Sequence, residues 1–326
     1  MTMDDMAMDM VMDAAMNFTV VIPTYNGSER LPRVLDRLRT QAVPDSLRWE
    51  IVVVDNNSTD ATAEIVRRYQ QDWPAALPLH YVTETQQGLA YARQCGVEAA
   101  QGGWVGFLDD DTAPDENWVS AAYRFGQAHP KAGAYGGQIH GDFEVPPPKD
   151  FKRIQSFLAI KERGAQPHRY QPETLSLPPG AGLVIRKQAW LESVPAQLQR
   201  TTRGGNDFEI SIRMHRHGWE IWYNPDMHIY HHIPKKRLER DALIKLSHTV
   251  GGCICELRLI NVEALRKPVI VGRILMGNLR RIVMHVLKYR WQIKHDVVLM
   301  CELVFFVGGF MSPFYLLKKN LAKLSA

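Results

Sequence analysis

Three consecutive carboxylates, Asp109, Asp110 and Asp111, end the apolar run Trp104-Val105-Gly106-Phe107-Leu108, and Pro114 follows three residues later. Adjacent like charges repel, and a carboxylate taken out of water is costly unless it is paired or bound to a metal. A hard cation such as Mg²⁺ suits them. It takes one or two carboxylates and completes its shell with water and substrate phosphates. The same residues also suit a solvated acidic turn that caps the next helix. A second carboxylate, Asp55, ends the apolar run Trp49 to Val54 and is followed by Asn56-Asn57-Ser58-Thr59-Asp60, which are helix-capping types. A third, Asp207, lies in Arg203-Gly204-Gly205-Asn206-Asp207-Phe208-Glu209, where a helix opens. The helix dipole favours a carboxylate there whatever its function.

These residues need a scaffold, and the first half of the chain reads as one. Phe18 to Tyr25, Trp49 to Val54, Leu79 to Thr83 and the run from Trp104 are short and apolar, as strands buried on both faces of a parallel sheet are. Between them lie helical patterns: Leu31, Val34, Leu35 and Leu38, then Ala61 to Tyr69, then Gly88 to Ala100. Alternating strand and helix implies βαβ units in an α/β fold. In such sheets ligands bind beyond the carboxyl ends of the strands, so Tyr25, Asp55 and Asp109 face one crevice. Tyr25 offers a ring for stacking, or serves as a turn aromatic. Arg93, in a helix of small residues, offers a planar fork that matches a pyrophosphate, or lies on a solvated helix face. No G-x-G-x-x-G follows the first strand and no G-x-x-x-x-G-K-[ST] occurs, which argues against a dinucleotide oxidoreductase and a P-loop enzyme. Further on, Ala134 to Ile139 and Trp222 to Tyr230 read as strands, the second closed by His231 and His232. Gln166 to Pro179 reads as a long polar loop.

The chain has 326 residues and a formal net charge of +4, fitting one large α/β domain with an extension. Its basic residues crowd the part after His232, which points to an anionic partner. The four cysteines form neither a disulfide framework nor a paired zinc pattern, so a reducing compartment is expected. The Met- and Asp-rich start has no basic n-region and no apolar h-region, so no signal peptide is expected. Residues 1–16 read as a disordered or misassigned start, 17–232 as the α/β domain and 233–326 as a basic helical extension.

Five stretches together carry a resemblance. IPTYNGSERL (22–31), VVVDNNSTDAT (52–62), GLAYARQCGV (88–97), FLDDDTAPDENW (107–118) and NDFEISIRMHRHGW (206–219) occur in an order that resembles a family 2 glycosyltransferase of the GT-A fold. The bacterial exopolysaccharide transferases, including those of cyanobacterial hormogonium polysaccharide, are the most similar in flavour. The resemblance implies a mixed, mostly parallel sheet with flanking helices and a nucleotide-diphosphate sugar donor, UDP- or GDP-linked. It implies that Pro23, Tyr25 and Asp55 hold the base. Asp109-Asp110-Asp111 becomes the DxD motif. Asp111 ligates Mg²⁺ or Mn²⁺, Asp109 reaches the ribose or the metal, and Asp110 is the variable middle position. Asp207 becomes the catalytic base of an inverting transfer, with Asn206 where the family usually carries Glu. A histidine closing the last core strand, His231 or His232, joins the metal. The processive synthases carry Q-x-x-R-W; here Leu287 replaces the glutamine before Tyr289-Arg290-Trp291, which implies a distributive enzyme.

The C-terminal third suggests a membrane. From Pro268 to Leu287, Val269, Ile270, Ile274, Leu275, Leu279, Ile282, Val283 and Val286 mark one face, with Arg266, Arg273, Arg280 and Lys288 on the other. That pattern suits the surface of a bilayer or a helix packed on a core with a solvated basic face. Val297 to Leu317 is almost wholly apolar, and a span needs about 20 such residues. Glu302 inside it costs about 2.5–3.5 kcal/mol on the insertion scale. A peripheral or re-entrant attachment at the cytoplasmic face is expected, with a single span as the alternative. The acceptor is then a glycan or a lipid-linked sugar. No nucleic-acid partner is expected, because the basic residues alternate with aliphatic runs and not with stacking aromatics. The competing class is a non-catalytic, membrane-peripheral nucleotide-sugar-binding or scaffold protein of the same fold.

Overall fold

The structure, a computed structural model, describes residues 16–195, 205–260 and 262–324. The reading of the chain's start as disordered, and Arg203 and Gly204 of the third carboxylate's motif, lie outside the described residues. The chain divides into two compact units. The first comprises the residues up to Ile139, Arg163–Pro172 and Leu177–Tyr230; the second comprises His140–Glu162, Glu173–Ser176 and the residues from His231 on.

The centre of the first unit is β1 (Phe18–Thr24), buried at all seven positions. It pairs in parallel with β2 (Trp49–Asp55) on one side and with β4 (Trp104–Phe107) on the other. β3 (Leu79–Thr83) extends the parallel part beyond β2. Between these strands run α1 (Leu31–Arg39), α2 (Thr62–Gln71) and α3 (Leu89–Ala99). The apolar spacing of α1 is realised: Leu31, Val34, Leu35 and Leu38 are all buried. α3 lies close on the sheet because its inner face is small. A Cβ at Gly96 would stand 2.3 Å from Val21 Cγ1.

At β4 the sheet changes direction. β5 (Thr112–Pro114), α4 (Trp118–Ala128), β6 (Ala132–Phe143), β7 (His168–Arg169), β8 (Val184–Arg186), α5 (Lys187–Ser193), α6 (Asn206–Arg216) and β9 (Glu220–Ile233) follow in chain order. β4 and β6 each pair antiparallel with β8, so the strand order is β3-β2-β1-β4-β8-β6-β9-β5, with β7 against β9. The sheet is mixed with its first half parallel, as expected. β8 is only three residues long, and Gly182 turns the backbone through φ +71° just before it begins. The expected loop after Gln166 is interrupted by β7 and by one helical turn at Pro172–Thr174. Packing across β4 leaves no room at Gly106, where a Cβ would meet Trp118 at 2.7 Å and Phe18 at 2.9 Å.

The second unit is helical. α7 (Lys235–Leu238), α8 (Arg240–Gly252), α9 (Ile254–Leu259), α10 (Lys267–Tyr289), α11 (Gln292–His295) and α12 (Val297–Leu324) make it up. α12 is one unbroken helix in spite of Pro313. It crosses α8 where both backbones are bare. A Cβ at Gly251 would meet Phe305 O at 2.3 Å, and one at Gly308 would meet His248 O at 2.7 Å. Small residues at such crossings let helices approach closely. α10 packs on α12 through a narrow stripe whose buried members are Ile274, Asn278 and His285. His285 Nε2 lies 3.0 Å from Leu299 O, and Gly309 makes room for the Asn278 amide. Glu302 is not isolated either: Arg153 Nε donates to its Oε1 at 3.0 Å. The outward side of α10 carries Met276, Leu279, Val283 and Leu287, all exposed. On α10, then, two of the three buried positions are polar, while an apolar line stays exposed beside basic residues.

Candidate functional site

The three aspartates form the turn that joins β4 to β5. Asp109 O accepts from Thr112 N at 3.0 Å and from Thr112 Oγ1 at 2.7 Å, so the side chains of residues 109–111 project from a closed turn. All three are half-buried, and two of them pair with arginines. Arg93 Nη2 lies 3.6 Å from Asp109 Oδ1. Only 2% of Arg93 is exposed, which removes the solvated-face reading. Its guanidinium is held between the Phe107 ring, 5.4 Å away, and the backbone at Gly180, where a Cβ would stand 2.3 Å from Nη2. The glycines at 180 and 182 thus have local reasons: one clears an arginine and the other takes a left-handed turn.

Asp110, assigned no role from the sequence, is held by two side chains. Its Oδ2 accepts from Thr24 Oγ1 at 2.6 Å, and Arg30 donates to both oxygens at 2.8 and 2.9 Å. Arg30 also bonds Tyr25 O at 3.1 Å. The hydrogen bond to Asp110 raises the Arg30 pKa further above its ordinary value.

Asp55 ends β2 opposite Thr24 of β1, so it leaves the same sheet edge as Asp109, as expected. It is buried and doubly engaged. Oδ1 accepts from Ser58 N at 2.9 Å, and Oδ2 accepts from Tyr81 OH at 2.6 Å. Burial and this bond push the Tyr81 phenol up to about 12, so it remains a donor across the neutral range. The loops after β1 and β2 lace together through Asn26 N to Ser58 Oγ, Gly27 N to Thr62 Oγ1 and Ser28 N to Asp60 Oδ2. Pro23 is buried beside Val54, whereas Tyr25 is 48% exposed, with its ring accessible at the sheet edge.

Asp207 is half-buried in the first turn of α6, whose N-cap Gly205 takes φ +79°. Asn206, beside it, is buried, and its Oδ1 meets no partner among the described residues. Glu209 is fully buried and held by Arg213 at 2.8–2.9 Å. His231 falls in the second unit. Its Nδ1 lies 3.0 Å from Leu158 O and its Nε2 lies 3.0 Å from Arg237 Nη1. His232 Nδ1 lies 3.3 Å from Asp142 Oδ2.

The donor set fits a divalent ion of the hard kind. Asp109 and Asp111 offer carboxylate oxygens, and the Asp109 side chain is 36% exposed. Among the described residues no three His, Cys, Asp or Glu side chains converge into a complete ligand set. A site that leaves most of the shell to water and phosphate is what Mg²⁺ and Mn²⁺ accept. Arg30, Thr24 and Tyr81 were not recognised from sequence. Arg30 and Thr24 stand 80 and 86 residues from Asp110, and no local pattern marks such a pair.

Residues 19–190, more than half of the chain, match the family described as "Glycosyl transferase family 2". The glycosyltransferase AglE of Haloferax volcanii is 36% identical over 101 residues, 31% of this chain and 32% of its own. A PGL/p-HBAD biosynthesis glycosyltransferase of Mycobacterium bovis is 34% identical over 128 residues, 39% of this chain and 48% of its own. The chain thus spans about a third to a half of these curated relatives. Among solved structures, the mannosyltransferase PcManGT from Pyrobaculum calidifontis, in complex with GDP-Man and Mn²⁺, superposes with a TM-score of 0.59 at 20% identity. The match covers 91% of this chain and 88% of that one, and it shows a shared fold.

The Asp55–Tyr81 bond generates a prediction. Tyr81→Phe removes the donor from a buried carboxylate oxygen. Such a charge-assisted bond contributes about 1.5–3 kcal/mol. Urea unfolding followed by tryptophan fluorescence should show a loss of that size. An unchanged midpoint would mean that Asp55 draws no support from Tyr81.

Proposed function

The chain belongs to glycosyl transferase family 2, and on that premise we propose that it transfers one sugar at a time from a nucleotide-diphosphate sugar to a glycan or lipid-linked acceptor, with inversion, during exopolysaccharide or cell-envelope glycan synthesis. The observation that carries this reading is the single sheet edge from which Tyr25, Asp55 and the closed 109–112 turn all emerge. Tyr25, Pro23 and Asp55 form the base end. Asp55 already accepts two hydrogen bonds, but a carboxylate has about four acceptor positions, so it still accepts from a base N–H. Asp109 and Asp111 would hold Mg²⁺ or Mn²⁺. His231 is the third ligand proposed with them; its Nδ1 lies 3.0 Å from Leu158 O and its Nε2 3.0 Å from Arg237 Nη1. When bound, the ion offsets the negative charge that builds on the leaving diphosphate. Arg93, fixed beneath Asp109, adds positive charge beside it. The donor class is supported by the bound GDP-Man and Mn²⁺ of the structural relative.

In the reaction the acceptor hydroxyl oxygen bonds to the anomeric carbon as the bond from that carbon to the phosphate oxygen breaks. The nucleoside diphosphate leaves with the electron pair. The hydroxyl proton goes to a carboxylate, and Asp207, half-buried at the start of α6, is the group assigned to take it.

The second unit is read as the attachment to the cytoplasmic face of the membrane. α12 contains a 25-residue stretch long and apolar enough to cross a bilayer, Val297–Leu321. On α10, Met276, Leu279, Val283 and Leu287 recur every three or four residues as an exposed apolar line. Arg273, Arg280, Arg281 and Lys288 stay exposed along the same helix. Basic residues spread along a helix roughly 34 Å long suit one lying in the plane of the interface, with its apolar line in the acyl chains.

Two outcomes are expected. Asp111→Asn should lose Mn²⁺-dependent nucleotide binding. Asp207→Asn should keep that binding and turn over about 10² to 10⁴ times more slowly, the usual worth of a general base. Calorimetry and nucleotide-release kinetics read the two apart, and normal turnover by Asp207→Asn would reduce that residue to a helix-terminal charge. For the membrane, the parent should sediment with phosphatidylglycerol vesicles, and a Leu279→Glu/Val283→Glu variant should sediment less. Equal partitioning would refute the role given to α10.

A further inference from the structure

We propose that Asp110, with Thr24 and Arg30, is a brace that sets the aim of Asp109 and Asp111, and that it takes no part in ligation itself. The proposal deepens the reading of the same site, since it presumes that the flanking aspartates hold a divalent ion. It rests on a geometry in which the Asp110 carboxylate accepts three hydrogen bonds from the protein, two on one oxygen and one on the other. One oxygen accepts from Thr24 Oγ1 at 2.6 Å and from Arg30 Nη2 at 2.9 Å; the other accepts from Arg30 Nε at 2.8 Å. The fork-on-carboxylate arrangement is the most directional ion pair available to side chains. It ties the β4–β5 turn to the end of β1 and, through Arg30 Nη2 to Tyr25 O at 3.1 Å, to the loop that carries Tyr25.

The space around the brace is closed as well. A Cβ on Gly27 would stand 2.0 Å from Thr24 Oγ1 and 2.8 Å from Asp110 Oδ2. The loop passes over the brace only because residue 27 has no side chain. Only 13% of the Asp110 side chain is exposed, against 36% for Asp109. The residue between two ligands in a tight turn cannot move without turning its neighbours, so fixing it fixes them. Arg30 also removes one of three adjacent negative charges, and its positive charge acts on Asp111 too. That lowers the repulsion which would otherwise spread the turn. Groups that orient metal ligands without touching the ion typically carry 10- to 100-fold in affinity.

Two variants isolate positioning from charge and from ligation. Arg30→Lys keeps the charge and loses the fork. Gly27→Ala keeps every member of the brace and wedges it apart. Mn²⁺ binding to the full chain, followed by the electron paramagnetic resonance signal of the free ion, should weaken about 10- to 100-fold in both. Binding of UDP or GDP without metal reads out the Tyr25 loop that Arg30 also holds, and should fall less than Mn²⁺ binding does. The apparent KM for Mn²⁺ should rise by the same factor, with kcat at saturating Mn²⁺ near that of the parent. Thr24→Val, which removes one hydrogen bond and little volume, should fall between parent and Arg30→Lys. Parent-like affinity in Arg30→Lys would overturn the proposal. So would tighter binding there, because a freed Asp110 would then be acting as a ligand. Weakening in Gly27→Ala alone would also overturn it, since that loss would belong to the backbone. A parent that binds no Mn²⁺ would instead overturn the metal-site reading on which the brace rests.

Discussion

Three carboxylates on consecutive residues at the end of one strand are the constraint around which the site is arranged. Left alone, they would repel one another and open the β4–β5 turn. The chain answers with two arginines from different elements. Arg93 rises from α3, buried between Phe107 and the backbone at Gly180, and meets Asp109. Arg30 comes from the loop before α1 and meets Asp110. Much of the local sequence follows. Gly96 lets α3 lie close enough to deliver Arg93; Gly180 lets the backbone pass over it; Gly27 lets the β1–α1 loop pass over the Arg30 pair. The parallel register of β1 with β2 and β4 then brings Asp55 to the same edge.

The parallel half of the fold was legible in the sequence. Its strands are continuous apolar runs, and its helices show their buried faces in the spacing of Leu31, Val34, Leu35 and Leu38. The strand ends were marked by carboxylates, so Asp55 and Asp109 could be placed on one edge before any contact was known. The antiparallel half was less legible. Val184–Arg186 is a strand of three residues whose partners lie 49 or more positions away, and its approach is shaped by a glycine turn instead of a pattern. The supports of the site were not legible. Thr24, Arg30 and Tyr81 look like ordinary loop and strand residues until tertiary structure brings them to their acids.

The C-terminal helices show how an apolar pattern can be read correctly and its direction left open. The spacing on α10 announces an amphipathic helix but not which side meets protein. Packing chooses the stripe of Ile274, Asn278 and His285, and the apolar line stays outside. Inside, Glu302 has Arg153 and His285 has a backbone carbonyl, so the desolvation cost of these groups is offset by partners.

The account stands on the idea that the aspartate turn and the Asp55 edge together form a metal-assisted nucleotide site. The most direct test is calorimetric titration of the full chain with UDP and with GDP, each with and without Mn²⁺. The account predicts that one of the two nucleotides binds, and that its affinity rises when Mn²⁺ is present. Binding of neither nucleotide, or binding that is indifferent to Mn²⁺, would contradict it.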